Sequence, residues 1–387
     1  MGIELQVRPE VLGARLKSAR TLAKFTQESA AQSLGFARTT VVAIEAGKRQ
    51  ISAEELRAFA EQYGVSEGEL LSGGRQPLDM DVKFRKAGFE DEGITDQISV
   101  GSLLNRLAAS TVELEAMLES PAIKLDYPTI RLNRDEPLEQ QAEDAAMSLR
   151  QRLGIGMGPI SNLTALIEFD LGLRIFERPL PSKVSGAVAF DEDHGGFVLL
   201  NSNHPPQRRR LTAAHEICHP LLRKAGLAVL FETADFEDRE DKFCDWFARA
   251  FLMPAVAMRR KASELKNLAG EFSVRHLLMM AIYFGVSVEA VTRRLEALGV
   301  VPKGLFDSLK DRGLGTRHLD EVRREIGDEP TNGQFTPRLY LLAGAAYDRE
   351  LVSEQQLARK LELDLVTVRS MLSEVSASGG STLALDF

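Results

Sequence analysis

The strongest constraint on the fold lies between Thr26 and Arg49, in "TQESAAQSLGFARTTVVAIEAGKR". Ala30 and Leu34 before Gly35, and Val41 and Ile44 after it, recur at helical spacing. Gly35 can take the positive φ that a tight turn between two helices needs. Thr26 is placed to cap "QESAAQSLG", and Ser52 with Glu55 has the capping-box spacing ahead of "AEELRAFAEQYG". With Val11, Leu12, Leu16 and Ala19 upstream and Leu56, Phe59 and Ala60 downstream, residues 10–72 read as four or five short helices. The second helix of the Gly35 pair has the position of one that lies in a major groove.

Charge separates this segment from the rest. The 387-residue chain has a net charge of −8 and a pI near 5.5, which argues against a uniformly basic surface. From Arg8 to Arg49, however, eight basic residues face three acidic ones. That local surplus favours contact with phosphates. A small helical bundle used only for protein contact is the ordinary alternative, and the charge weighs against it.

Through "TQESAAQSLG", "ARTTVVAIEAGKR" and "ISAEELRAFAEQYGVSEGELL" the segment resembles the Cro/repressor-like (XRE) helix-turn-helix family. The resemblance implies that Gln27 and the backbone at the helix start hold phosphates. It implies that Arg38, Thr39 and Thr40 face base edges, that Lys48 and Arg49 return to the DNA backbone, and that Glu45 buttresses the fold. Double-stranded operator DNA is the expected partner, with a homodimer reading two half-sites.

A length of 387 residues allows two or three separate cores. Residues 72–85, with Gly-Gly and Pro, read as a linker, and "SVGSLLNRLAASTVELEAMLES" as a bridging helix. From Leu138 two helices lead into the short β-rich runs "LRIFERPL", "SGAVAFD" and "GGFVLLNS", and then into the apolar helix "LTAAHEICHPLLRKAG". Helices, strands and helices in blocks are an α+β pattern.

Within that last helix, His215 and His219 are separated by about 400° of helical rotation, so both rings fall on one face. Glu216 lies about 100° round from His215, within reach of an attacking water without being a ligand. Two imidazoles for a zinc ion and a carboxylate for the proton make the H-E-x-x-H arrangement of a metallopeptidase. A buried helix whose histidines bond to carbonyls is the bland reading of a five-residue match, so the third ligand matters. In "EDREDKFCDWFARAFLMP", Asp241 and Asp245 are four apart on one face, where one carboxylate can bind metal and the other can orient a histidine. A solvated helix face is the alternative for that acidic run.

Through "SLRQRLGIGMGPI", "VSGAVAF", "VLLNSNHPPQRRRLTAAHEICHPLL" and "FARAFLMP", residues 138–300 resemble the ImmA/IrrE-type, gluzincin-like metallopeptidases, a group in which an N-terminal helix-turn-helix is common. The resemblance implies zinc, with manganese as an alternative. His215, His219 and Asp241 are its implied ligands, Glu240 an alternative third ligand, Asp245 a supporting residue and Glu216 the catalytic base. Asp241 stands where the family has glutamate, and Cys244 where it has a small residue. Cys218 reads as a small apolar core residue, or less readily as a redox-sensing thiol.

The implied fold class is mainly α: an all-α helix-turn-helix domain (1–75), a linker and bridging helix (76–137), a small α+β zincin-like domain (138–300) and a C-terminal helical domain (301–387). Three consecutive arginines, Arg208 to Arg210, read as a solvated, capping turn or as a grip on an acidic partner. His194 and His204 have no partner at metal spacing. "MAIYFGVSVEAVTRRLEALG" and "LARKLELDLVTVRSML" have helix-turn-helix-like spacing but no basic surplus, which favours packing roles. Two cysteines cannot build a disulfide framework, no long apolar run spans a bilayer, and no signal peptide is recognisable; a soluble protein of the reducing cytoplasm, with no membrane partner, is expected. The leading function is a DNA-bound regulator that cleaves a protein substrate such as a repressor during stress or induction. The alternative is a transcription factor whose weakened peptidase-like domain senses a ligand or metal without cleaving.

Overall fold

The computed structural model describes residues 8–22, 25–63, 67–71, 91–120, 129–191, 194–222, 226–231, 239–314, 316–326 and 336–379. The linker expected at 72–85 lies outside them. Two compact units form, one from residues 1–79 with 108–113, the other from 80–107 with 114–387.

The first unit consists of α1 (Pro9–Leu22), α2 (Gln27–Leu34), α3 (Arg38–Glu45), α4 (Ala53–Tyr63) and α5 (Glu67–Leu71). Thr26 caps α2 by accepting from the Ser29 amide, and Gly35, at φ 71°, closes it. The Phe36 amide returns to the Ala31 carbonyl at 2.8 Å, closing the turn from which α3 starts. Ser52 and Glu55 form the expected reciprocal cap on α4. Leu12, Leu16, Val41, Ile44, Leu56 and Phe59 are the centre of its core.

α6 (Asp91–Met117) has residues in both units. The second unit continues with α7 (Leu138–Arg152) and α8 (Leu163–Ala165), which runs into a π-helical turn at Leu166–Asp170. Then come β1 (Arg174–Arg178), β2 (Val184–Asp191), β3 (Gly195–Asn201), α9 (Pro206–Glu216), α10 (Cys218–Leu221) and β4 (Gly226–Phe231). The helices α11 (Arg239–Leu252), α12 (Ala255–Ala269), α13 (Val274–Phe284), α14 (Val288–Ala297), α15 (Leu305–Asp311) and α16 (Thr316–Ile326) follow. Last are α17 (Pro337–Asp348), α18 (Glu354–Lys360) and α19 (Leu365–Gly379).

The sheet order is β1-β3-β2-β4, with β1 parallel to β3 and β2 antiparallel to both of its neighbours. Three strands match the runs expected from sequence; the fourth, "GLAVLF", is too short an apolar run for periodicity to separate from helix. Successive residues of β2 and β3 are buried rather than alternating, the sign of a sheet covered on both faces. α9 lies across β2 and β3, and α11 packs on α7 and α9. Leu309, Leu319 and Val322 join the same core, so the boundary expected at 300/301 falls inside one packed body.

Arg150 fastens α7 to α11. It is 1% exposed, donates to the carbonyls of Gly156 (2.8 Å), Gly158 and Phe251 (2.5 Å), and lies over the Phe251 ring. Carbonyl acceptors on every side satisfy a buried guanidinium without a carboxylate, and the helix itself is closed by Gly154 at φ 64° with the Ile155 amide returning to the Arg150 carbonyl.

The α18–α19 pair repeats the register of α2–α3. Ser353 caps where Thr26 does, Leu357 is buried where Ala30 is, and Glu362 takes the left-handed conformation of Gly35 at φ 52°. Val368 and Met371 are buried like Val41 and Ile44. α13 and α14 make a third such turn at Gly285, but α14 is enclosed by the core through Val291, Arg294 and Leu295. Among the described residues no single helix is long and apolar enough to cross a membrane.

Candidate functional site

α9 ends at Glu216 and α10 begins at Cys218, with Ile217 between them still in helical conformation (φ −65°, ψ −18°). The near-continuous helix keeps His215 and His219 one turn apart. Their ring centroids are 5.3 Å apart at 63°, and both residues are buried. From α11, Asp241 brings Oδ1 to 3.8 Å from His219 Nε2. Cys244, three residues on, brings Sγ to 3.8 Å from His219 Nδ1. The ring is flanked by a carboxylate on one edge and a thiol on the other.

Ligand atoms of His215, His219 and Cys244 lie within 4.8 Å of one another. Cys244 was expected only as the small residue of the motif. Its spacing from Asp241 was visible in the sequence, but its approach to His219 depends on how α11 crosses α10.

Glu216 is fully buried, and neither carboxylate oxygen has a hydrogen-bond partner. Burial, and then the charge of Asp241, push its carboxyl well above the ordinary range. A buried acid left in this state is costly in a closed core and fits a place beside a cation and a reacting water. Gly186 in β2 makes the room: a Cβ there would stand 2.8 Å from Thr212 Cγ2 and 3.5 Å from Glu216 Oε1. Because Asp241 and Cys244 stand at opposite edges of the His219 ring, an ion held by the two imidazoles would take one of them, not both, as a further donor.

Other expected residues are placed differently. Asp245, expected to orient a histidine, pairs with Arg249 at 2.9 Å, because the two are one turn apart on α11. Burial nevertheless raises its carboxyl, with Arg249 opposing. Glu240 is half-buried at the start of α11.

The three arginines are half-buried and bonded within the domain. Arg208 donates to Ser185 Oγ at 3.1 Å, Arg209 to the carbonyls of Ser202 and His204, and Arg210 to the Ile160 carbonyl. They pin α9 to β2 and to its surrounding loops. His194 bonds to Asp191 at 2.7 Å and His204 to the Ser182 carbonyl at 3.3 Å. Asn201, which sequence reasoning missed, donates to the carbonyls of Leu180, Pro181 and Val184 and ties the end of β3 to the entry of β2.

In the helix-turn-helix, Arg38 and Thr39 are exposed at the start of α3, Thr40 is half-buried, and Lys48 and Arg49 are exposed beyond its end. Arg49 pairs with Glu55 at 2.8 Å. Gln27 differs from expectation: its side-chain amide donates to Glu45 Oε2 at 2.8 Å. Glu45 also takes the Arg20 guanidinium at 2.5 and 3.1 Å, so it is the buttress that the sequence suggested. Arg15 donates to the Leu70 carbonyl. Arg15 and Arg20 therefore stabilise the fold, and the basic surface rests on fewer residues than the count implied. In α18–α19 the corresponding surface carries Glu354, Glu362 and Asp364, which repeats the fold without the charge that phosphate contact requires.

Comparison with known proteins agrees with this division. A family model described as Helix-turn-helix matches residues 16–70, and one described as IrrE N-terminal-like domain, of the M78 peptidases, matches residues 169–296. No curated protein matches. Among solved structures, ComR from Streptococcus suis is 9% identical, with 96% of this chain and 95% of that chain covered, at a TM-score of 0.16. The apo competence regulator ComR from Streptococcus vestibularis is 11% identical (97% and 99% covered, TM-score 0.16). Apo ComR from S. thermophilus is 12% identical (96% and 99%, 0.15). The chain carries an XRE-type helix-turn-helix domain, a DNA-binding fold, followed by an IrrE-like domain of the M78 metallopeptidase family.

Proposed function

We propose that this DNA-binding regulator is a zinc-dependent peptidase that cleaves a protein substrate of the repressor class. One observation carries the reading: a fully buried glutamate with neither oxygen hydrogen-bonded stands beside two histidines whose rings share a helix face. His215 and His219 would hold the ion, with the third donor from α11, where Asp241 stands at the Nε2 edge of His219. A bound zinc supplies Lewis-acid polarisation of the scissile carbonyl. Glu216 takes the proton from the attacking water and returns it to the leaving amine, and its low-dielectric setting favours holding that proton between the two steps. Gly186 keeps the space beside its carboxylate open.

At the other unit, Arg38, Thr39 and Thr40 would read base edges while Lys48, Arg49 and the amides at the start of α2 meet phosphates, in a homodimer on two half-sites. The division 1–75, 76–137, 138–300 and 301–387 is proposed as one of roles and not of cores, since residues beyond 300 pack into the core of 138–300. The test is metal content and processing together. Purified chain should hold about one zinc, lost in His215→Ala, and cells should process a partner protein that Glu216→Gln leaves intact. Metal-free protein from a chelator-free preparation would refute it.

The second reading, a metal or ligand sensor without cleavage, draws on Asp241 in place of glutamate and on the thiol at His219. It expects Glu216→Gln to regulate as the wild type does, with no processed partner.

A further inference from the structure

Cys244 is fully buried on α11, and its Sγ stands 3.8 Å from Nδ1 of His219. Asp241 Oδ1 stands 3.8 Å from Nε2 of the same ring. The ring therefore faces two unlike donors, a soft sulfur at one nitrogen and a hard oxygen at the other. Among the described residues, His215, His219 and Cys244 bring three ligand atoms within 4.8 Å of one another, and all three residues are buried. A cysteine that only fills a core gap has no reason to meet two imidazoles in this way.

We propose that His215, His219 and Cys244 form a second donor set on the same histidine pair, selective for a soft, thiophilic cation, while the Asp241 edge serves zinc. The inference rests on the reading that His215 and His219 hold a metal. Sulfur binds an ion at about 2.3 Å and imidazole nitrogen at about 2.0–2.1 Å, so an ion shared by the two separates them by about 3.6–3.8 Å. Cys244 Sγ already stands at that separation from Nδ1. Oxygen and nitrogen sharing an ion stand closer, at about 3.4 Å, so the Asp241 edge must tighten before it closes.

Thiolate sulfur favours soft ions, and a carboxylate favours harder ones. When the soft ion binds, Cys244 gives its proton to solvent and the sulfur–metal bond takes the place of the S–H bond. Entry lies on the Asp241 side, where that side chain is 28% exposed and His219 10%. Both donor sets draw on His215 and His219, so the two ions exclude each other. A soft cation thus stops the zinc-dependent reaction by displacing zinc, without occupying the place of the substrate.

The experiment titrates the reduced, zinc-loaded full chain with cadmium as the probe. It reads sulfur-to-cadmium charge-transfer absorption and, by metal analysis after desalting, the zinc that remains. Wild type should take up about one cadmium per chain, gain the absorption and lose its zinc in step. Loss of a group that merely bonds to a ligand costs about 10–100-fold in metal affinity, so Cys244→Ser, close to isosteric, should weaken cadmium binding by more than about a hundredfold. It should also lack the absorption and hold zinc as wild type does. Asp241→Ala should do the reverse, with zinc weakened and cadmium unchanged, and Cys218→Ala should match wild type for both ions. Absorption that persists in Cys244→Ser, cadmium bound alongside zinc, or equal losses of both ions in Cys244→Ser would each overturn the second donor set and leave the peptidase reading standing. A wild type that binds neither ion more tightly than His215→Ala would instead remove the metal reading itself. Should Cys244→Ser fail to fold, wild type decides: cadmium bound without the absorption, or without release of zinc, overturns the proposal.

Discussion

The Oδ1 atom of Asp241 stands 3.8 Å from Nε2 of His219, too far for a hydrogen bond and close to the separation of two donors sharing one ion. Aspartate at this position therefore has the direction of a third ligand but little length to spare. Asp241→Ala should weaken zinc binding by at least about tenfold, and Glu240→Ala should leave it unchanged. Asp241→Glu, one methylene longer, should bind zinc more tightly than wild type. Competition titration with a chelator of known affinity measures all three. Equal losses in Asp241→Ala and Glu240→Ala would contradict the assignment.

Gly186 sets how closely α9 approaches the sheet. An alanine there would place its Cβ 2.8 Å from Thr212 Cγ2 and 3.0 Å from the Leu199 carbonyl oxygen. Overpacking of this kind costs about 1–3 kcal/mol, and here it would also shift Glu216. Gly186→Ala should lower the thermal midpoint and slow any proteolysis together, whereas unchanged values of both would mean that α9 yields freely.

Glu45 holds Arg20 and Gln27 at the centre of the first unit. Its removal strands a buried guanidinium, a loss of about 3–5 kcal/mol. Glu45→Ala should accelerate hydrogen exchange in α1 to α3 by the corresponding factor while α7 and α11 exchange as before.

The helix-turn-helix assignments separate by salt. Lys48→Ala should weaken binding to every duplex and lower the salt slope by about 0.9. Arg38→Ala should instead cost about 1–3 kcal/mol of preference for a selected operator over a scrambled duplex. Fluorescence anisotropy across a salt series resolves the two, and a uniform loss in both variants would count against base reading by Arg38.

Away from the metal centre, burial raises the Glu168 carboxyl to about 7, with the Thr336 hydroxyl and the Arg338 amide opposing. The folded chain holds a proton there that the unfolded chain, at 4.5, has released. This contribution is complete below pH 4.5, declines as the pH rises and is gone above about 7, a change on the order of 3 kcal/mol. Glu168→Gln should flatten that part of the stability profile, as followed by urea denaturation at successive pH values. A variant profile parallel to wild type would exclude Glu168 as its source.

Much of the molecule was legible in the residues. Thr26, Gly35, Ser52 and Glu55 fixed the first unit because caps and turns are decided within a few residues of chain. The spacing of His215 and His219 fixed the face they share, and put Glu216 beside it, for the same local reason. What sequence could not supply was contact between distant elements. The pairing of Asp245 with Arg249, the Arg150 cage and the use of Arg208 to Arg210 as staples each depend on which helix crosses which. The approach of Cys244 to His219 is of the same kind: the thiol and the ring are 25 positions apart, and only the crossing of α10 and α11 brings them to 3.8 Å. Sequence determined the groups available for chemistry, and tertiary packing decided which of them face one another, because side-chain neighbours across helices are set by the shape of a shared core rather than by periodicity along either helix.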